Sequence, residues 1–140
     1  MKLKLSSSIL CTAALMLATP IFAAQKPANT GPKYDLANEV TVKGSVEDLP
    51  QLPTEVGIVH LMVKTDQGNV LVYVAPADFL KEIDTSFNKG DLIEVKGAKT
   101  PNPLQEEVLA REITVGTNTT TLRDDKGIPV WAGWSPAKVN

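Results

Sequence analysis

The sequence predicts a mainly β fold: a five-stranded Greek-key barrel with one short helix between its third and fourth strands and an added C-terminal β-hairpin. Three observations carry this. Residues 40–47 and 92–98 alternate apolar with polar residues, the period of a half-buried strand, and residues 57–65, 70–75 and 108–115 are further apolar runs of strand length rich in β-branched residues. Clusters of Gly, Pro, Asn and Asp separate those runs. Only one stretch, at Pro76, has both the start signal and the spacing of a helix.

Before the first run, residues 1–24 read as an export signal. Lys2 and Lys4 form a basic start, residues 9–18 (ILCTAALMLA) an apolar stretch, and Ala23 and Ala24 a small-residue cut site. The apolar run is shorter than the ~20 residues that span a bilayer, so no stable membrane span is expected after cleavage. The only cysteine of the 140 residues, Cys11, lies inside this signal. The mature chain therefore has no disulfide, no thiolate nucleophile and no cysteine-ligated zinc. Without Lys2 and Lys4, the 14 basic residues become 12 against 16 acidic, a formal charge of −4. Nucleic-acid affinity rests mainly on Lys and Arg neutralising phosphates, so a nucleic-acid partner is not expected. The address predicted is periplasmic or secreted.

Residues 25–38 begin with a Pro-, Gly- and Asn-rich stretch lacking apolar periodicity, which predicts a flexible leader. The domain is expected over residues 39–134, with residues 135–140 as a tail. The first strand alternates Val40, Val42 and Val46 against Thr41, Lys43, Ser45 and Glu47. Gly44 takes an inward slot, where an interior glycine marks a bend at a barrel corner. Residues 48–55 (DLPQLPTE) carry two prolines and form a loop. Residues 57–65 (GIVHLMVKT) and 70–75 (VLVYVA) make a hairpin around residues 66–69 (DQGN). The helix follows: Pro76 near its first turn, Asp78 as an early carboxylate, and Phe79, Leu80 and Ile83 at helical spacing. Residues 92–98 (LIEVKGA) place Ile93 and Val95 on one face, residues 100–103 (TPNP) form a loop, and residues 108–115 (VLAREITV) form the fifth strand. Last, residues 119–123, 124–127 and 128–131 read as strand, turn and return strand. This hairpin is expected to cover an edge or mouth of the barrel, with Trp131 as its buried closure and Trp134 more exposed.

The order strand, hairpin, helix, strand, strand is that of the OB-fold. The motifs VKGSVEDL, HLMVKTDQGNVLVYVAP, KGDLIEVKGAK and VLAREI, and the ending LRDDKGIPVWAG, resemble small exported bacterial OB-fold proteins, sometimes labelled DNA-binding. The resemblance implies the fold; a DNA-binding role would be fold analogy.

No catalytic or metal constellation is legible. His60 is the only histidine; it is expected on the second strand beside Ile58 and Met62, packed or at the surface. The acidic pairs Glu106-Glu107 and Asp124-Asp125 are neighbours in loops and are read as solvated. Asn118-Thr-Thr fits a glycosylation pattern that matters only in a eukaryotic secretory pathway. No cofactor is expected. The expected function is a non-enzymatic exported binding module contacting another exported protein or a small ligand. The alternatives are nucleic-acid or oligosaccharide binding on the same face, and an enzyme built on His60. The candidate ligand contacts are Leu52 and Leu104 on the two proline-bearing loops, Lys64 and Tyr73 on the sheet, and Trp134 in the tail.

Overall fold

A computed structural model describes residues 32–135; the predicted export signal, residues 25–31 of the predicted leader and residues 136–140 of the tail lie outside that range. Five strands close on themselves. β1 (Glu39–Asp48) pairs antiparallel with both β2 (Ile58–Thr65) and β4 (Leu92–Lys99). β2 pairs with β3 (Gly68–Pro76), and β4 with β5 (Glu107–Val115). β3 then runs parallel to β5, with Leu71, Val72 and Tyr73 beside Glu107, Val108 and Leu109, which shuts the barrel. β6 (Asn118–Thr121) bonds to β5 outside it. The single helix α1 (Ala77–Glu82) lies between β3 and β4, so the predicted fold class is the observed one.

Two glycines turn the corners. Gly44 sits where β1 passes from pairing with β4 to pairing with β2. A Cβ there would stand 2.1 Å from the Lys64 carbonyl oxygen, and one at Gly97 on β4 would stand 2.1 Å from that of Leu109. Both would also meet a valine methyl, of Val63 and Val108 respectively, at 2.9 Å. Backbone approaches backbone at both sites, which only glycine permits. The Gly97 corner, marked by a register shift against β5, follows Ile93 and Val95 at the same alternate spacing as Gly44 follows Val40 and Val42, but was not singled out from the sequence.

Helix α1 starts at Pro76 and buries Phe79 and Leu80. Ile83, predicted on the same apolar face, is instead the C-cap and is exposed. Asp84 follows in the left-handed region at φ 54°. Its N–H donates to the Lys81 carbonyl and that of Thr85 to Leu80, which ends the helix in a Schellman motif.

The barrel core gathers Val42, Val46, Leu61, Val63, Val72, Val95, Val108 and Ile113 among others. β3 is unusual: Val70, Val72 and Val74 are buried, and so are the alternating Leu71, Tyr73 and Ala75. A strand buried on both faces reads as a continuous apolar run, which is what VLVYVA is. One face looks into the barrel; the chain's own ends cover the other.

The C-terminal hairpin is looser than predicted. Leu122 and Arg123 donate from their backbone to the Arg111 carbonyl, and the return segment makes one bridge, between Arg123 and Pro129. Pro129 has no N–H to continue a ladder. After Val130, which donates to the Leu122 carbonyl, the chain turns instead of extending. The expected return strand of residues 128–131 is therefore a bridge and a turn.

Candidate binding site

Tyr73 and His60 define the floor of the covered face. They are cross-strand partners on β3 and β2, with ring centroids 5.3 Å apart and edge to face. Across the register shift Val59 pairs with Ala75 and His60 with Tyr73, so the extra residue is Val74 on β3 and the spacing along β2 is unbroken. His60 is buried. Its Nε2 lies 2.5 Å from a carboxylate oxygen of Glu55, an approach too bent for a hydrogen bond, and Nδ1 has no partner among the described residues.

Arg123 forms the roof. It is only 4% exposed. Its Nη1 donates to the Gly127 carbonyl at 3.1 Å, and its guanidinium carbon lies 5.4 Å from the ring centres of both Tyr34 and Trp131. That is a cation held between two π faces. No carboxylate among the described residues forms an ion pair with it, and its buried Nε has no partner among them. Burial pulls its pKa below the ordinary arginine value.

Tyr34, in the stretch expected to be leader, is held from the other side. Its hydroxyl donates to Glu39 at 2.7 Å, and Arg111 donates to the same carboxylate oxygen at 2.7 Å. These bonds, the Tyr34 one first, hold the Glu39 carboxyl below the usual range; burial, with the Glu39 bond, pushes the Tyr34 phenol upward. The packed unit thus begins before β1. Gly127 is the hinge of the roof. It has φ +80°, and a Cβ there would stand 2.4 Å from the Tyr34 ring, so no larger residue fits. Asp124, read from sequence as solvated, builds this turn: its carboxylate accepts from the N–H groups of Lys126 and Ile128.

Between floor and roof lies a cavity of about 260 Å³ whose lining includes Lys33, Tyr34, Tyr73, Arg123, Pro129 and Trp131. Its lining among the described residues has two cations and no carboxylate. Burial, then the charge of Glu55, raises the Tyr73 pKa, so its hydroxyl stays protonated and can donate.

The five predicted contacts do not converge. Tyr73 is buried under the roof, not presented on an open sheet, because the C-terminal turn occupies that face. Lys64 is exposed and ion-paired with Glu47 at 3.6 Å. It lines a separate trough of about 600 Å³ with Lys43, Asp66 and Leu92. Leu104 is 92% exposed, so it neither plugs the barrel nor faces a groove; Leu52 is half-buried, and neither lines either cavity. Trp134 is half-buried, packing edge-on against Phe79 at 5.7 Å while its indole N–H donates to Glu82. Trp131 is buried and packs on the same Phe79. Sequence reasoning missed Arg123, Tyr34 and Lys33. The one available signal was Arg123 beside Leu122 at the end of a β run, ahead of the charged turn.

Among the described residues no three His, Cys, Asp or Glu side chains lie close enough to hold a metal ion, and no helix is long and apolar enough to cross a membrane. The geometry defines a small closed β-barrel with the OB strand order, carrying a roofed pocket on the outer face of β3. A family model described as the MamS/MamX magnetosome protein family matches residues 38–120. The chain belongs to that family; the match covers the barrel and stops before the roof. None of the curated proteins is similar enough to count as a relative. Among solved structures, apo TiaS, a tRNAIle2 agmatidine synthetase, is similar over 65% of this chain and 22% of its own, at 15% identity and a TM-score of 0.40. This chain thus spans about a fifth of that protein, and a likeness so distant carries no argument.

Proposed function

We propose that the protein is an exported, non-enzymatic binding module that contacts a small ligand or a group of another exported protein through the roofed pocket. It is read as periplasmic and as a relative of the small exported OB-fold proteins its motifs resemble. One observation carries the reading. Part of the outer β2–β3 face, where OB barrels usually bind, lies under Tyr34, Arg123 and Trp131, which line this pocket together with Tyr73. An enzyme reading finds little support, since the single imidazole is buried against one tyrosine and one carboxylate. The nucleic-acid reading has less support, since Tyr73, the aromatic of that sheet, is buried. The family's description adds the magnetosome as a setting in which to look for the partner.

Amide shift mapping of the mature chain tests this. A panel of small ligands and a mixed single-stranded oligonucleotide are titrated at ~150 mM salt. The expected result is shifts centred on Tyr73, Arg123 and Trp131 with a small ligand and none with the oligonucleotide. Base stacking, worth roughly 1–3 kcal/mol per base, cannot act through covered rings. Sub-micromolar oligonucleotide binding, or ligand shifts confined to other surfaces, would sink the proposal.

A further inference from the structure

Building on the binding reading, we infer that the roofed pocket is a site for a small oxyanion, a carboxylate or phosphate group, gripped by Arg123 with Lys33 at its rim. Three observations converge. Arg123 is a guanidinium with 4% exposure, no ion-pair partner among the described residues and a buried Nε that donates to nothing among them. A buried, unpaired charge is among the costliest features a fold can keep. The Gly127 carbonyl and the two flanking rings offset part of that cost, but none of them neutralises the charge. Second, the chain is acidic overall, yet the lining of this cavity among the described residues has two cations and no carboxylate. Third, the guanidinium carbon lies 5.4 Å from the ring centres of Tyr34 and Trp131, and of its N–H groups only Nη1 has a hydrogen-bond partner among the described residues, the Gly127 carbonyl. A planar donor edge is the geometry that holds a carboxylate or phosphate by paired hydrogen bonds. The Tyr73 hydroxyl, which lines the same cavity, supplies a further donor. At about 260 Å³ the space suits a group of a few heavy atoms and not a drug-sized molecule.

The test uses the mature chain, with Trp131 emission and melting temperature as readouts and inorganic phosphate or acetate titrated at ionic strength held constant with sodium chloride. A saturable response to at least one oxyanion, absent with chloride alone, is expected; which one responds tells phosphate from carboxylate. Arg123→Met should weaken the response by about tenfold or more, as loss of a charge-assisted hydrogen bond does. It should leave the melting temperature equal or higher, since an unpaired buried charge is removed. Should that variant fail to fold, Lys33→Gln, at an exposed position, carries the test: a severalfold weaker response at an unchanged melting temperature is expected. No saturable response in the wild type, or undiminished responses in the variants, overturns the anion site and leaves Arg123 a structural clamp. Shifts at Arg123 and Trp131 with a neutral ligand and no anion response would sink only this inference; no ligand response at all there would sink the binding reading too.

Discussion

The two faces of β3 are built from different chemistry. Toward the barrel, Val70, Val72 and Val74 pack on valines, leucines and isoleucines drawn from neighbouring strands. On the outside, Tyr73 lies beneath a cation, two more aromatics and a histidine–carboxylate contact. Apart from His60 on β2, those groups come from before β1, from the β1–β2 loop and from beyond β6. The interior is held by apolar area, which is non-directional and insensitive to pH. The roof is held by a few directional contacts between chain ends, some of them titratable. One strand thus shows how a fold can be stabilised by area on one side and specified by geometry on the other.

The largest expected effect falls where the two regimes meet. Trp131→Ala should cost about 3–5 kcal/mol, as large core truncations do, because the ring packs on both Phe79 and Arg123. Trp134→Ala, half-buried, should cost clearly less. Equal and small losses in chemical denaturation would mean the roof is detachable, and the comparison would fail.

Next in size are the two corners of the interior. Gly44→Ala and Gly97→Ala each drive a methyl into a carbonyl 2.1 Å away. Each should cost about 1–3 kcal/mol or more, the range for overpacking, and the two losses should match. A wild-type-like denaturation midpoint for either would show that the barrel corner relaxes freely.

The roof, unlike the interior, should feel pH. The Glu39 carboxyl is held below its ordinary value chiefly by the Tyr34 hydrogen bond and then by Arg111. A group with a depressed folded-state pKa adds stability above its unfolded value, here about pH 4.3, and loses it as pH falls through the lower folded value. Melting temperatures should therefore drop more steeply below about pH 4.3 in the wild type than in Glu39→Gln. Parallel curves would remove Glu39 from the roof's anchorage.

The smallest effect expected is at Leu104. With 92% of its surface exposed, Leu104→Ser should change stability by no more than about 0.5 kcal/mol. A drop of several degrees in melting temperature would mean the loop is packed against something the described residues do not include.

Much of the barrel was legible because its signals are local. The alternation in VTVKGSVE, the hairpin at DQG and the Pro76 helix start each sit within one element, and the structure places all three where the sequence put them. The site was much less legible. Tyr73 was picked out as a sheet residue facing a ligand, but nothing near position 73 says that residues 122–134 will lie over it. Leu52 and Leu104 looked like a pair because both loops carry prolines, a resemblance in composition with no bearing on distance.

By itself, then, the sequence determined the five barrel strands and their order along the chain, the single helix, the bend at Gly44 and the absence of cysteine beyond residue 24. Period, turn residues and composition act over a few positions, and a linear pattern records them. Only the tertiary structure decided that His60 and Tyr73 lie buried edge to face, that Gly97 meets the β5 backbone as Gly44 meets that of β2, and that Tyr34 and Arg123 meet. Those outcomes depend on contacts between segments as much as 89 positions apart, Tyr34 to Arg123, whose geometry exists only once β3 and β5 have closed the barrel.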